Sequence, residues 1–247
     1  MEKQCTLKNR VSVKGAGLHT RQCGTLTFNP APINSGIRFR RIDLENQPII
    51  EADVDNVIDT ARGTTLGKGG VKIYTVEHVL ASLRGLGIEL KMEPCDHFEI
   101  DVKVKYNTRV LDEQHATLKD LKDFENEIAP CRTFVFLHEL ETLISRNLIK
   151  GGDLTNAIVF VNRNVSSEEL DHIAAFFKKP KVTVKECGIL NNVELYFDNE
   201  PARHKLLDVI GDLTLVGRPI KGKVTAVKPG HFSNTAFARK IKHTLLY

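Results

Sequence analysis

Residues Phe98-Glu-Ile-Asp-Val-Lys-Val-Lys-Tyr106 alternate apolar and charged side chains without a break. A period of two places successive side chains on opposite faces of an extended chain, so this stretch is the clearest strand of the sequence. A second stretch carries the other period. In Glu200–Asp212 and the residue after it, Leu206, Leu207, Val209, Ile210 and Leu213 supply the apolar side of a helix, and nothing before Gly211 breaks it. His204 and Asp208 stand four apart there and share one helix face. An imidazole and a carboxylate so placed can grip one metal ion, and the pair suits Zn2+. The same spacing also fits a solvated face on which Asp208 offsets a nearby Lys or His. A third ligand and a general base elsewhere in the chain would separate the two readings.

A chain of 247 residues can bury a real core, as one large domain or two small ones. Its 41% hydrophobic and 27% charged residues are those of an ordinary globular protein. No apolar run approaches the roughly 18 residues of a membrane span, and the N-terminus shows no secretory h-region, so a cytoplasmic protein without a transmembrane segment is expected. Cys5, Cys23, Cys95, Cys131 and Cys187 are odd in number and never form a CxxC pair. Reduced thiols follow, with neither a disulfide framework nor a cysteine-ligated zinc. The net charge of +4 includes basic clusters at Arg38–Arg41 and in the C-terminal tail. No base-reading motif accompanies them, so nucleic acid is not the expected partner, whereas a nucleotide diphosphate suits the charge.

Along the chain, residues 3–28 read as two strands around Gly15-Ala-Gly-Leu-His19, and Ile37–Ile42 as a half-buried strand. Thr60–Leu66 reads as strand, 67–70 as a hairpin loop and Val71–Tyr74 as its second arm. Thr75 is a candidate N-cap for a helix whose period is set by Val76, Val79, Leu80 and Leu83 and which ends at Gly85. Glu77 and His78 fall in its first turn, where Glu77 also suits the helix dipole and His78 also suits a partly buried position. A domain boundary is placed near Lys91–Asp96. A polar helix is expected over about Leu118–Ile128, then a βαβ unit of strand Cys131–Leu137, helix Glu139–Ser145, a turn at Gly151-Gly152 and strand Ala157–Val161. A helix over Ser167–Lys178 capped by Ser166 or Ser167, strands at Lys181–Val184 and Gly222–Val227, a turn at Lys228–Asn234 holding His231, and a basic C-terminal helix complete the pattern.

Glu77-His78, the His204/Asp208 pair and His231 could together fill the roles of a zinc hydrolase, which needs three protein ligands, an open position, a base and an acid. The wider set of motifs closely resembles the zinc-dependent UDP-3-O-acyl-N-acetylglucosamine deacetylases of lipid A biosynthesis. It comprises Gly17-Leu18-His19, Phe39–Asp43, Thr75–His78, Gly85–Ile88, Arg132–Phe134, Gly151-Gly152, Asn156–Ile158, Arg203–Lys205, Ile210–Asp212 and Gly230-His231, collinear over nearly the whole chain. The resemblance implies His78, His204 and Asp208 as zinc ligands and Glu77 as the general base acting on water. It implies His231, oriented by Asp212, as the group that stabilises the oxyanion or protonates the amine, and Thr133 as a donor to the oxyanion side. Lys205, Phe134 and Lys228 would contact the sugar and diphosphate. Leu137, Leu140, Ile149, Ala157 and Val159 would line a passage for the 3-O-acyl chain, or be plain core. His19 would line the site or stabilise a turn.

The pattern and the resemblance together imply an α+β fold of two related sheet-plus-helix domains. These are residues 1–92 and 93–247, with the βαβ insert at 131–161 in the second and zinc in the cleft between them. The substrate is then UDP-3-O-acyl-N-acetylglucosamine, and no obligate protein partner is evident. One departure is large: Gly87-Ile88-Glu-Leu90 runs almost directly into Glu93-Pro-Cys95, as though roughly fifty residues of a typical first domain were absent. A catalytically impaired remnant that binds zinc or a nucleotide sugar is the alternative.

Overall fold

The computed structural model describes residues 6–16, 23–61, 63–85, 97–145 and 154–245. β1 (Val11–Ala16) and β2 (Cys23–Phe28) form an antiparallel hairpin with Val11 opposite Phe28. β3 (Arg38–Arg40) pairs antiparallel with β4 (Ile49–Glu51). One 3-10 turn at Val54–Asn56, capped by the Asp53 carboxylate accepting from the Asp55 N–H, follows β4. It leads into an antiparallel meander of β5 (Val57–Asp59), β6 (Thr65–Lys68) and β7 (Val71–Ile73). The strand expected from Thr60 begins only at Thr65 and runs on to Lys68, which confines the turn to Gly69 and Gly70. α1 spans Glu77–Gly85. Thr75 does not cap it by the expected geometry: its backbone is left-handed (φ 55°), and the ladder opens with the Leu80 N–H donating to the Val76 carbonyl at 2.9 Å. The proposed boundary at Lys91–Asp96 lies outside the described residues.

β8 (Phe98–Lys105) is the period-two strand. It is the middle of a three-stranded sheet, antiparallel to β9 (Glu113–Leu118) on one side. Its even-numbered residues Phe98, Ile100, Val102 and Val104 are buried, while Lys103 and Lys105 are exposed. β9 was not expected from the sequence, and it takes only Leu118 from the polar helix expected over about Leu118–Ile128. What remains of that helix is a 3-10 turn at Leu121–Asp123 and one α-helical turn, α2 (Phe124–Glu127). β10 (Thr133–Phe136), α3 (Leu137–Ser145) and β11 (Ala157–Phe160) form the βαβ unit, with the two strands parallel and Thr133 opposite Ala157. The turn at Gly151-Gly152 lies outside the described residues. α4 (Ser167–Phe176) starts from a complete capping box: the Ser166 hydroxyl accepts from the Glu169 N–H, and the Glu169 carboxylate accepts from the Ser166 N–H. The strand expected at Lys181–Val184 is reduced to one bridge, Val184 to Leu190. α5 (Glu200–Thr214) passes through Gly211 without a break, β12 (Gly222–Val227) pairs parallel with β8, and α6 (His231–Leu245) ends the described chain. His231, expected in a turn, is the first residue of α6.

The fold is α+β, with helices and strands in several small sheets. One buried cluster joins the inner face of the β12-β8-β9 sheet to Leu206, Leu207, Val209, Ile210 and Leu213 of α5, and to Ile50, Val54, Leu66, Val76 and Leu80 from the first part of the chain. The βαβ unit has its own cores on either side of its strand pair. One is built from Leu137, Leu140, Leu154, Val159, Ile173 and Leu190, and the other from Phe136, Ile158, Phe160 and Ile189. Among the described residues no helix is long and apolar enough to cross a membrane.

Candidate metal centre

The site forms where the start of α1 lies against the middle of α5. Gly211 makes this approach possible: a Cβ there would lie 2.8 Å from the carbonyl carbon of Glu77 and 3.0 Å from its Cα, and closer still to its carbonyl oxygen. Only a residue without a side chain lets two backbones come so near. One turn below Gly211, Asp208 presents its carboxylate to the His78 side chain.

His78, His204 and Asp208 are the one group of three or more potential metal ligands among the described residues, with one donor atom from each lying within 4.8 Å of the others. Asp208 Oδ1 is 3.7 Å from His78 Nε2 and 3.6 Å from His204 Nε2. Separations of this size are near the roughly 3.3 Å edge of a tetrahedron built on zinc bonds of about 2.0–2.1 Å. His204 Nδ1 donates to the carbonyl oxygen of Cys131 at 3.2 Å, which leaves Nε2 as the nitrogen that could hold a metal ion. Asp208 Oδ1 is buried without a hydrogen-bond partner, although its sister oxygen accepts from Lys205 Nζ at 2.8 Å. An orphaned carboxylate oxygen facing two imidazole nitrogens is costly unless a cation joins them. The donor set therefore fits Zn2+, by ligand type as well as by placement.

The charges agree. Burial pushes the His204 imidazole down to about 4, so it is neutral and able to ligate. Burial opposes ionisation of Asp208, but the imidazoles around it and the Lys205 ammonium outweigh it and hold the carboxyl below its usual range. For His78, burial is outweighed by Asp208 and Glu77, which raise it, so metal binding there competes with a proton.

Two further titratable groups flank the three donors. Glu77 is 1% exposed, and burial raises its carboxyl above the ordinary range. Its Oε2 accepts from the Thr64 N–H at 2.8 Å, and its Oε1 lies 3.8 Å from His78 Nε2. His231 Nδ1 donates to Asp212 Oδ2 at 2.9 Å, and His231 Nε2 points towards Asp208 Oδ2 at 4.0 Å. Burial lowers the His231 imidazole, but the Asp212 hydrogen bond and the Asp208 charge more than offset this and leave it raised. Asp212 also accepts from Asn234 Nδ2 at 2.9 Å and from the Thr64 hydroxyl.

Around this group, Thr133 and Phe134 open β10, and Lys205 Nζ stands 5.7 Å from the Phe134 ring centroid. Lys228 is exposed just past β12, with a left-handed backbone (φ 51°). Leu137, Leu140 and Val159 are enclosed in one core of the βαβ unit, and Ala157 is half-buried at the start of β11. His19 and Ile149 lie outside the described residues. Sequence reasoning passed over Thr64, Asn234 and the Cys131 carbonyl, which fix the orientation of Glu77, Asp212 and His204. Thr64 lay within an expected strand and gave no chemical signal of its own. It also passed over Glu200, a fully buried carboxylate that accepts from the Arg132 N–H, the Arg132 guanidinium and the Tyr196 N–H. This clamp ties the start of α5 to the residue between Cys131 and Thr133.

The sequence matches the family described as UDP-3-O-acyl N-acetylglycosamine deacetylase over residues 4–91, 89–178 and 177–243. The bifunctional enzyme LpxC/FabZ of Bacteroides thetaiotaomicron is 41% identical, over 98% of this chain and 65% of its own length. The chain thus spans slightly less than two thirds of that relative. The UDP-3-O-acyl-N-acetylglucosamine deacetylases of Anaeromyxobacter dehalogenans and Chlamydia felis are 32% and 33% identical, over 96% and 98% of this chain and 87% and 98% of their own lengths. The alignments to the Bacteroides and Chlamydia proteins run to 298 positions against 247 residues here, so about fifty positions or more have no counterpart in this chain. The first boundary between matched stretches, at 89–91, coincides with the abrupt junction after Gly87-Ile88.

Proposed function

The chain belongs to the UDP-3-O-acyl N-acetylglycosamine deacetylase family, and from that premise we propose that it is a zinc-dependent amide hydrolase acting in the cytoplasm. It removes the N-acetyl group from UDP-3-O-acyl-N-acetylglucosamine, the committed step of lipid A biosynthesis. The observation that carries the reading is the buried, unpartnered Asp208 Oδ1 facing the Nε2 atoms of His78 and His204, with Glu77 and His231 beside it.

When bound by His78, His204 and Asp208, Zn2+ supplies a Lewis acid for the amide carbonyl and lowers the pKa of water towards about 7. Glu77 takes the proton of the attacking water. Its Oε2 is committed to the Thr64 N–H, so Oε1 is the basic atom, and its raised pKa brings it closer to neutrality. Breakdown of the tetrahedral species needs a proton on the departing amine. His231 carries it on Nε2, because Nδ1 is held by Asp212. Thr133 donates to the developing oxyanion. Lys205, beside Phe134, and Lys228 offer positive charge to the diphosphate. The βαβ unit at 131–161 guides the acyl chain past Leu137, Leu140, Ile149, Ala157 and Val159. In this reading the zinc site lies between an N-terminal domain, 1–92, and a C-terminal one, 93–247.

The test is deacetylation of UDP-3-O-acyl-N-acetylglucosamine by this chain, with and without a zinc chelator. Chelator-sensitive turnover is expected, and Glu77→Ala abolishes it while zinc stays bound. A folded, zinc-loaded wild type that releases no acetate overturns the enzyme reading in favour of a zinc-binding remnant.

A further inference from the structure

We propose that Thr64 is a positioning residue that holds the base Glu77 and the acid His231 in one frame; this rests on the deacetylase reading above. Thr64 is fully buried, and each of its three polar groups is bonded to the machinery around the metal centre. Its N–H donates to Glu77 Oε2 at 2.8 Å, and its carbonyl accepts from the Val76 N–H at 3.1 Å, at the start of the helix that carries Glu77 and His78. Its hydroxyl donates to Asp212 Oδ1. The other Asp212 oxygen accepts from His231 Nδ1 and from Asn234 Nδ2, each at 2.9 Å. Base and acid come from α1 and α6, with Glu77 and His231 lying 154 residues apart in sequence, and Thr64 is tied to both: directly to Glu77, and to His231 through Asp212 on α5 and a longer contact of its hydroxyl with His231 Nδ1 at 3.5 Å.

The local backbone is shaped for this task. Gly63 has φ +139°, and a Cβ there would lie 2.9 Å from Glu77 Oε1. A side chain at 63 would strain the turn and press on the basic oxygen, so glycine is what allows the chain to present the Thr64 N–H to the carboxylate. The hydroxyl has one hydrogen, and donating it to Asp212 leaves that carboxylate bound on both oxygens. Asp212 then has one stable orientation in which to hold the His231 ring. Without the hydroxyl, Asp212 is held only from the His231 and Asn234 side and can rotate, carrying His231 Nε2 away from the leaving nitrogen. A displacement of about 1 Å in such a group costs roughly a hundredfold in rate.

Thr64→Val keeps the shape of the side chain and both backbone contacts and deletes only the hydroxyl. Thr64→Ser restores the hydroxyl. In the full-length zinc-loaded protein, kcat for deacetylation is expected to fall roughly 10- to 100-fold in Thr64→Val. KM and zinc stoichiometry should hold, and Thr64→Ser should return to within a few fold of wild type. A Thr64→Val protein within twofold of wild-type kcat overturns the proposal. So does loss of zinc along with activity, or a Thr64→Ser protein as impaired as Thr64→Val, because either result makes Thr64 a packing residue only. An inactive wild type is a different failure: it refutes the deacetylase reading itself before any variant is compared, and this inference falls with it.

Discussion

Gly211→Ala tests how closely the two helices that carry the candidate metal ligands must approach. The added methyl meets main chain, not a flexible side chain: it would sit 2.8 Å from the Glu77 carbonyl carbon and 3.0 Å from Glu77 Cα. Ordinary carbon–carbon contacts begin near 3.5 Å, so the start of α1 must retreat by about 0.7 Å or more. Glu77 and His78 move with it, while His204 and Asp208 stay on α5. The His78 Nε2 to Asp208 Oδ1 distance of 3.7 Å then lengthens by a comparable amount, beyond what a shared ion of fixed bond lengths accepts without strain. Forcing a methyl into such a contact costs about 1–3 kcal/mol of stability. Misplacing the base by nearly 1 Å lowers the rate up to about 100-fold. Zinc affinity measured by competition with a chromophoric chelator should weaken by about tenfold or more, in step with kcat. A Gly211→Ala protein with wild-type zinc affinity and wild-type kcat would refute the argument that backbone contact at Gly211 sets the site.

Two other predictions concern protons and the clamp behind the site. As the proposed base Glu77 must be deprotonated, so kcat/KM should fall as pH drops through its pKa, which burial sets above the ordinary 4.5. His231 must be protonated, so kcat/KM should also fall as pH rises through a pKa that Asp212 and Asp208 hold above the ordinary 6.5. A pH–rate series on wild type and His231→Gln checks both, and an alkaline limb unchanged in His231→Gln would remove His231 from the acid role. Glu200→Ala strips the buried partner from the Arg132 guanidinium and from two backbone N–H groups, so unfolding in urea should show a loss of about 3–5 kcal/mol. A loss under about 1 kcal/mol would mean that solvent replaces the carboxylate there.

The parts of this fold legible in the sequence are those with strong local period. The alternation of Phe98–Lys105, the apolar stripe of α5 and the helix start at Ser166 or Ser167, of which Ser166 is the cap, are legible because burial of one face or satisfaction of a helix end is a local demand. β9 was not legible. Glu113-Gln-His-Ala-Thr-Leu118 offers only Ala116 and Leu118 as buried residues, and an edge strand with so little apolar alternation carries too weak a period to be assigned. The placement of His231 failed for a related reason: Pro229 and Gly230 punctuate the chain so strongly that the helix beginning immediately after them reads as turn. At the candidate metal centre, the His78, His204 and Asp208 that the structure brings together were nameable, because imidazoles and carboxylates advertise metal chemistry. Thr64, Asn234 and the Cys131 carbonyl were not, since their roles arise from long-range approach and not from residue type.

The parallel pairing of β12 with β8 also governs the order in which the molecule can be made. Phe98 is opposite Gly222 and Lys103 is opposite Val227, so the central strand lacks one neighbour until the ribosome has added more than a hundred further residues. At about 5–20 residues per second this is roughly 5–25 s of synthesis. During that time β8 pairs only with β9, and its apolar face waits for α5. A nascent chain ending before residue 200 therefore carries an uncovered, half-built sheet with an open edge, the arrangement most prone to pair with a neighbouring chain. Long-range closure of this kind slows folding, and the stretch after residue 200 brings two of the three candidate metal donors as well as the missing strand.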